Sequence, residues 1–282
     1  MGRVNDVDEP FRATHDGKLG ARSEKLIMSS SMLRVLGDLA PNGRIRAAIN
    51  FGNQVLAQRR AGEAQGVSVD LAHELSRRLA VPVDLLTFDA AGKVFDALES
   101  NAWDVAFLAI DPARAAQISF TAPYIVLEGT YIVREGSPLR SLDDFDRPGI
   151  RIAVGRGAAY DLFLTRALKS AELVRADTSS AALDQFAASD LDAAAGVRAA
   201  LLAYAGNHRG FRVVDRAFTA IPQAMGTPVG RSEGSRYLIA FVEEMKHIGF
   251  VAAALARSGQ RDVAVAPAAT LGQDGQSVLP VA

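Results

Sequence analysis

Residues 106–124, AFLAIDPARAAQISFTAPY, run from an apolar stretch straight into Asp111-Pro112-Ala113-Arg114 and end on Pro123-Tyr124. The apolar part reads as a buried strand that begins at Asp104 and closes at Ala109-Ile110. Asp111 is a favoured N-cap and Pro112 a favoured first helical residue, so a helix starts at once after the strand. Free N–H groups at such a start point towards the carboxyl edge of a sheet, where open α/β folds bind ligands. Arg114 falls in the first turn, where a cation is disfavoured by about a few tenths of a kcal/mol. An anion beside it would reverse that sign, whereas the plain alternative pairs Arg114 with Asp111 or another carboxylate. The residues alone leave both open.

Outward from this segment, strands and helices alternate. Residues 44–51 read as a strand ending at Gly52-Asn53, and 67–79 as a helix with Val69, Leu71, Ala72, Leu75 and Leu79 on one face and Ser68 as its N-cap. Residues 81–88 and 93–100 give a second strand and helix. After a polar break at 134–149 the alternation restarts with a strand at 150–154, a turn flanked by Gly155 and Gly157, and further strands and helices to 215. This spacing implies parallel sheets covered by helices, in two modules. The chain then turns helical, with Leu238, Phe241, Val242 and Met245 at helical spacing. Residues 1–41 are expected to be a poorly structured arm, and 263–282 a tail with little fixed structure.

Composition removes several classes of function. There are 31 Lys plus Arg against 32 Asp plus Glu, so no concentrated basic surface calls for nucleic acid. No cysteine is present, which excludes disulfides, thiolate chemistry and Cys-ligated metals. His73 has no second histidine on its helix face, so no metal site is expected. The stretch 155–160, GRGAAY, lacks the third glycine of a dinucleotide loop and the lysine of a phosphate loop, and no G-x-S-x-G motif occurs. No cofactor is expected. No apolar run reaches the roughly 18–20 residues of a membrane span. Residues 1–27 are polar and charged, without the apolar core of a secretory signal, which points to a cytoplasmic chain if the sequence is complete.

Several ordered motifs together resemble a family. GVSVDLAHELSRRL, then NAWDVAFLAIDPARAAQISFTAPY, SLDDFDRPGIRIAVGRGAAYDLFL, LDAAAG and GFVAAALARSG resemble the extracellular solute-binding proteins, family 3, the type II periplasmic binding proteins of polar amino-acid ABC transporters. The resemblance spans about residues 42–260. It implies an α/β fold of two lobes joined by two hinge strands, closing on a small ligand. Lobe one would be 42–131 plus 227–262 and lobe two 132–226, with crossings near 131–133 and 225–227. It also implies a periplasmic location, a monomer, and an ABC permease as partner.

The resemblance assigns Arg114 to the ligand's α-carboxylate through a bidentate contact. Phe51 and Asn53 match the lobe-one ligand loop, with Ala109 and Asp111 beside the arginine. Gly157, Ala158 and Ala159 match the lobe-two loop that closes over the carboxylate.

Three departures stand out. The chain between Asp104 and Arg114 is about two residues short of the family pattern, with Asp111 where a hydroxyl is common. Ala158 replaces a threonine or serine. Val197 stands where amino-acid binders carry the aspartate that pairs with the ligand ammonium, whose unpaired burial would cost several kcal/mol. Asp111 or Glu128 could supply that charge instead, and Arg198 could point a second cation into the cleft. The reading that follows is a binding protein for a small carboxylate or amino-acid-like solute. A dehydratase-like enzyme using Glu128 or Asp111 as an acid, or a cytoplasmic sensor, are the alternatives.

Overall fold

The computed structural model describes residues 30–271 and 277–278, so residues 1–29 of the expected arm and most of 272–282 lie outside the described residues. The chain begins with helix α1 over 30–39, strand β1 (Ile45–Asn50), the hairpin β2 (Gln58–Arg60) and β3 (Glu63–Gln65), and helix α2 (Val67–Leu79). Strand β4 (Val83–Phe88), helix α3 (Ala91–Asp96), strand β5 (Val105–Ala109), the single turn α4 (Pro112–Ala115) and β6 (Ile118–Phe120) lead into the ten-residue strand β7 (Ile125–Arg134). A second series follows: β8 (Arg151–Gly155), α5 (Ala159–Ala167), β9 (Glu172–Ala176), α6 (Ser179–Ala188), β10 (Ala193–Val197), α7 (Arg198–Asn207) and β11 (Phe211–Val213). Strand β12 (Thr219–Pro228) returns to the first series, which α8 (Ser232–His247) and α9 (Phe250–Arg257) complete.

The strands form a ten-stranded sheet in the order β4-β1-β5-β12-β7-β10-β8-β9, with β6 on β12 and β11 on β7. Each half has the same build. Three parallel strands, β4-β1-β5 or β9-β8-β10, are followed by one antiparallel strand that arrives from the other half. Strands β7 and β12 pair with each other over Ile125–Gly129 and Thr219–Gln223, then part. Beyond that stretch β12 joins β5 through Gln223–Gly226, and β7 joins β10 through Gly129–Val197 and its neighbours. The fold is therefore two α/β lobes joined by two long strands. The switch between partners comes slightly earlier in both strands than the crossings expected at 131–133 and 225–227.

Helical periodicity carries the packing. Val69, Leu71, Ala72, Leu75 and Leu79 of α2 are buried, as are Leu238, Phe241, Val242 and Met245 of α8. Burying each of these Val, Leu, Phe and Met side chains is worth about 1.5–3 kcal/mol.

Four details differ from expectation. Residues 30–39, placed in a loose arm, are helical: Val35 and Leu39 are buried, and the Asp38 carboxylate accepts from the N–H groups of Glu233 and Gly234 at 3.0 and 2.9 Å. That carboxylate occupies the orphan donors at the start of α8. The expected loose tail is tied at its beginning, because Val265 bridges Ile125 and the Ala266 N–H donates to the Tyr124 carbonyl at 2.9 Å. Ser68 is not the N-cap of α2; Gly66 is, at φ 125°, where a Cβ would lie 2.4 Å from the Leu56 carbonyl oxygen. Ser68 is instead buried, with its hydroxyl 3.4 Å from that of Tyr124. The β2–β3 hairpin has no apolar alternation; its turn, Ala61-Gly62 at φ 50° and 86°, supplies the left-handed pair that two-residue hairpins need.

Candidate functional site

The carboxyl ends of β1, β5, β8 and β10 converge on one cleft between the halves, with a cavity of about 60 Å³. Asn50 ends β1, with Gly52 and Asn53 just after it; Ala109 ends β5, with Arg114 in the turn that follows; Gly155 ends β8, and Arg156, Ala158, Ala159 and Tyr160 lead into α5. Ala195, Gly196 and Val197 end β10, and Gln223 comes from the crossing strand β12.

Arg114 is the chemical centre. Asp111 caps α4 by accepting from the Ala113 N–H at 2.9 Å, with Pro112 as the first helical residue, as the sequence implies. This turn delivers a guanidinium that is 1 % exposed. Its Nη1 donates to the Ala109 carbonyl at 3.1 Å and its Nη2 to the Gly157 carbonyl, across the cleft, at 2.7 Å. Nε has no partner. No carboxylate pairs with it among the described residues, so the plain alternative of an Arg114–Asp111 ion pair does not hold. Burial pulls its pKa down to about 10, with the Asp111 charge opposing the shift. The α4 start contributes less than expected to an anion site, because Asp111 already takes the Ala113 N–H with its side chain and the Ala115 N–H with its carbonyl.

The opposing loop is fixed from its own side. Gly157 adopts φ 67°, and its N–H donates to Asp161 at 2.8 Å; Arg175 in turn donates to Asp161 at 2.9 Å. A Cβ on Gly157 would stand 2.8 Å from the Cα of Gly92 in α3, so backbone meets backbone where the halves touch. Ala158 and Ala159 line the cleft and begin α5, and Tyr160 donates to Ser179 at 2.8 Å.

Other candidates divide. Asn53, Ala109, Arg114, Ala158, Ala159 and Val197 line the cleft, while Gly157 reaches it through its carbonyl. Phe51 lies outside, under the Arg59 guanidinium at 5.2 Å from its ring centroid. Asp111 is turned to Arg166 of α5 at 2.7 Å, an ion pair that spans the two halves. Glu128 and Arg198 are not in the cleft wall: they pair with each other, and Arg198 also donates to the carbonyls of Val214 at 3.2 Å and Asp215 at 2.6 Å. These three bonds spend the cation that was expected to face the ligand. Sequence reasoning missed Gln223, a lone amide in the run TAIPQAMGTP; it is 3 % exposed, and its side chain makes no hydrogen bond among the described residues.

The molecule is thus two α/β lobes with a buried arginine in the cleft between them that pairs with no carboxylate among the described residues. The profile of the bacterial extracellular solute-binding proteins, family 3, matches residues 53–257, and the chain belongs to that family. Family members are normally extracellular or periplasmic, and no helix among the described residues is long and apolar enough to cross a membrane. Solved structures of the same fold include a mutant of ArgBP from T. maritima, at 17 % identity and TM-score 0.70, covering 80 % of this chain and 99 % of that one. A putative binding component of an ABC transporter from Wolinella succinogenes, complexed with lysine, has 21 % identity and TM-score 0.67, covering 77 % and 95 %. The ancestral amino acid-binding protein AncCDT-1, a precursor of cyclohexadienyl dehydratase, has 20 % identity and TM-score 0.67, covering 79 % and 97 %. At these identities the likeness carries the fold. No curated protein matches the sequence.

Proposed function

We propose that this protein is the solute-binding component of an ABC transporter, capturing a small carboxylate between its lobes. The carrying observation is Arg114: a buried guanidinium that, among the described residues, bonds only two carbonyls and leaves Nε without a partner calls for an anion. The first-turn N–H groups of α5, at Ala159 and Tyr160 in the cleft wall, suit the same carboxylate from the second lobe. Lobe one is then 42–131 with 227–262 and lobe two 132–226, β7 and β12 acting as hinge strands. The working form is a monomer outside the cytoplasm, delivering to a permease.

The dehydratase reading needs a carboxylic acid facing the ligand. Among the described residues no Asp or Glu lines the cleft, and the two named for that role face Arg166 and Arg198 instead. Binding without catalysis fits better. Calorimetry of the full chain against a panel of L-amino acids, 2-oxo acids and short carboxylates tests the reading. At least one carboxylate should bind and its amide should not; a panel in which no carboxylate binds overturns it.

A further inference from the structure

We propose that the cleft selects a small aliphatic 2-oxo monocarboxylate, rejecting α-amino acids and dicarboxylates; this rests on the carboxylate reading of Arg114. Three observations converge on it. The first is charge. An α-amino acid brings an ammonium within a few ångströms of its carboxylate, and a buried ammonium needs an acidic partner. Val197 offers none, Asp111 is held by Arg166, and Glu128 is held by Arg198. A dicarboxylate needs a second buried cation. Arg198 is committed to Glu128 and two carbonyls, and Arg156, the other cation in the wall, is largely exposed and 4.0 Å from Asp177.

The second observation is the amide of Gln223. It faces Ala109 across the β5–β12 ladder, on the same side of the sheet, and the Ala109 carbonyl is what holds Arg114. An amide in the cleft wall beside the arginine's anchor suits an uncharged oxygen next to a carboxylate, since it can donate to a carbonyl. It cannot replace a carboxylate as partner to an ammonium.

The third is one side of the wall, where Leu183, Ala195, Val197, Ala200, Leu201 and Ile221 present apolar surface, while Asn50, Asn53, Tyr160 and Ser179 supply neutral polar groups elsewhere in it. The enclosed part of the cleft is small, about 60 Å³, which suits a compact ligand with a short aliphatic tail.

The test is calorimetry of the full chain with 2-oxobutyrate, butyrate, L-2-aminobutyrate and succinate. Expected is tightest binding of 2-oxobutyrate, with L-2-aminobutyrate and succinate each weaker by at least about tenfold. Val197→Asp should restore the missing anion and reverse the order of the oxo and amino acids. Gln223→Leu should leave 2-oxobutyrate no better than butyrate, and since it removes only the amide and introduces no buried charge it serves if the aspartate variant fails to fold. L-2-aminobutyrate or succinate binding wild type more tightly than 2-oxobutyrate overturns the inference while leaving the carboxylate reading standing. Binding of none of the four, nor of any other carboxylate in the wider panel, overturns both.

Discussion

Replacing Arg114 by methionine separates a ligand-binding arginine from a structural one. In the protein alone, burial depresses this guanidinium to about 10, so holding its charge costs on the order of 3 kcal/mol. Methionine relieves that cost but leaves the carbonyls of Ala109 and Gly157 without their donor, a loss of about 1–3 kcal/mol each. The two effects nearly cancel. Without ligand, the midpoint of thermal unfolding should therefore move by no more than about 5 °C in either direction. Ligand binding has no such compensation, since a desolvated charge pair is lost outright at about 2–5 kcal/mol, roughly 30- to 4,000-fold in affinity. Differential scanning calorimetry with and without a bound carboxylate reads both quantities. Unchanged affinity, or collapse of the fold without ligand, would show that the arginine serves the scaffold rather than a ligand. The pH dependence has a definite sign. Binding needs the charged form, whose folded pKa is lowered, so affinity should be level up to about pH 9 and fall as pH passes about 10.

Gly92→Ala would put a Cβ 2.9 Å from the Arg156 carbonyl oxygen, an overpacking cost of about 1–3 kcal/mol that the lobes can relieve only by parting. Small-angle scattering should then show a larger radius of gyration and calorimetry a weaker affinity; a closed, tight-binding variant counts against contact between the lobes at this glycine. Arg166→Ala removes the ion pair that joins the lobes at 2.7 Å and should loosen closure by about 1 kcal/mol, an effect that high salt reproduces in wild type. Equal scattering curves at low and high salt would count against it. Asp104 is buried between Arg46 and Arg231; desolvation pushes its pKa up, but those two arginines outweigh it and hold it low. Its folded value lies below the unfolded one, so its stabilisation is full above about pH 5 and fades as pH falls below about 4. Asp104→Asn should cost about 3–5 kcal/mol at neutral pH and flatten the acid limb of the stability profile, measured by urea unfolding.

Periodicity carried most of the fold, because α2 and α8 bury one helical face and β1, β5 and β8 are short apolar runs between turn residues. The β2–β3 hairpin escaped because its strands are polar and pair at the surface, so only the Ala61-Gly62 turn marks it. Helix α1 escaped for a different reason. Its apolar residues, Val35 and Leu39, look unremarkable beside the charged residues before them, and its anchor is the Asp38 carboxylate on a helix almost two hundred residues away. At the site, the cap made by Asp111 and the position of Arg114 were local and therefore legible. The fates of Glu128 and Arg198 were not: they lie on β7 and α7, and only the antiparallel pairing of β7 with β10 brings them together. Gln223 was hidden likewise, since its neighbour Ala109 is fixed by the β5–β12 register rather than by anything nearby in sequence.

Gly157 links recognition to closure. Its carbonyl accepts from Arg114 in the other lobe, its N–H is tied to Asp161 in its own, and its Cα stands where Gly92 leaves room for it. Each contact constrains the same peptide from a different direction, and the Asp161 contact ties the loop that meets the arginine to α5. The arginine in turn is anchored to β5 through the Ala109 carbonyl and reaches across the cleft to the Gly157 carbonyl. A carboxylate between Arg114 and the start of α5 therefore adds to contacts that already favour the closed arrangement. With Gly157 and Asp111–Arg166 bearing part of closure, the ligand itself need supply less of it. On the proposed reading, Arg114 and Gln223 would be the anion's polar contacts, while the Asp111–Arg166 pair and the close approach of Gly157 to Gly92 hold the halves together from outside those contacts.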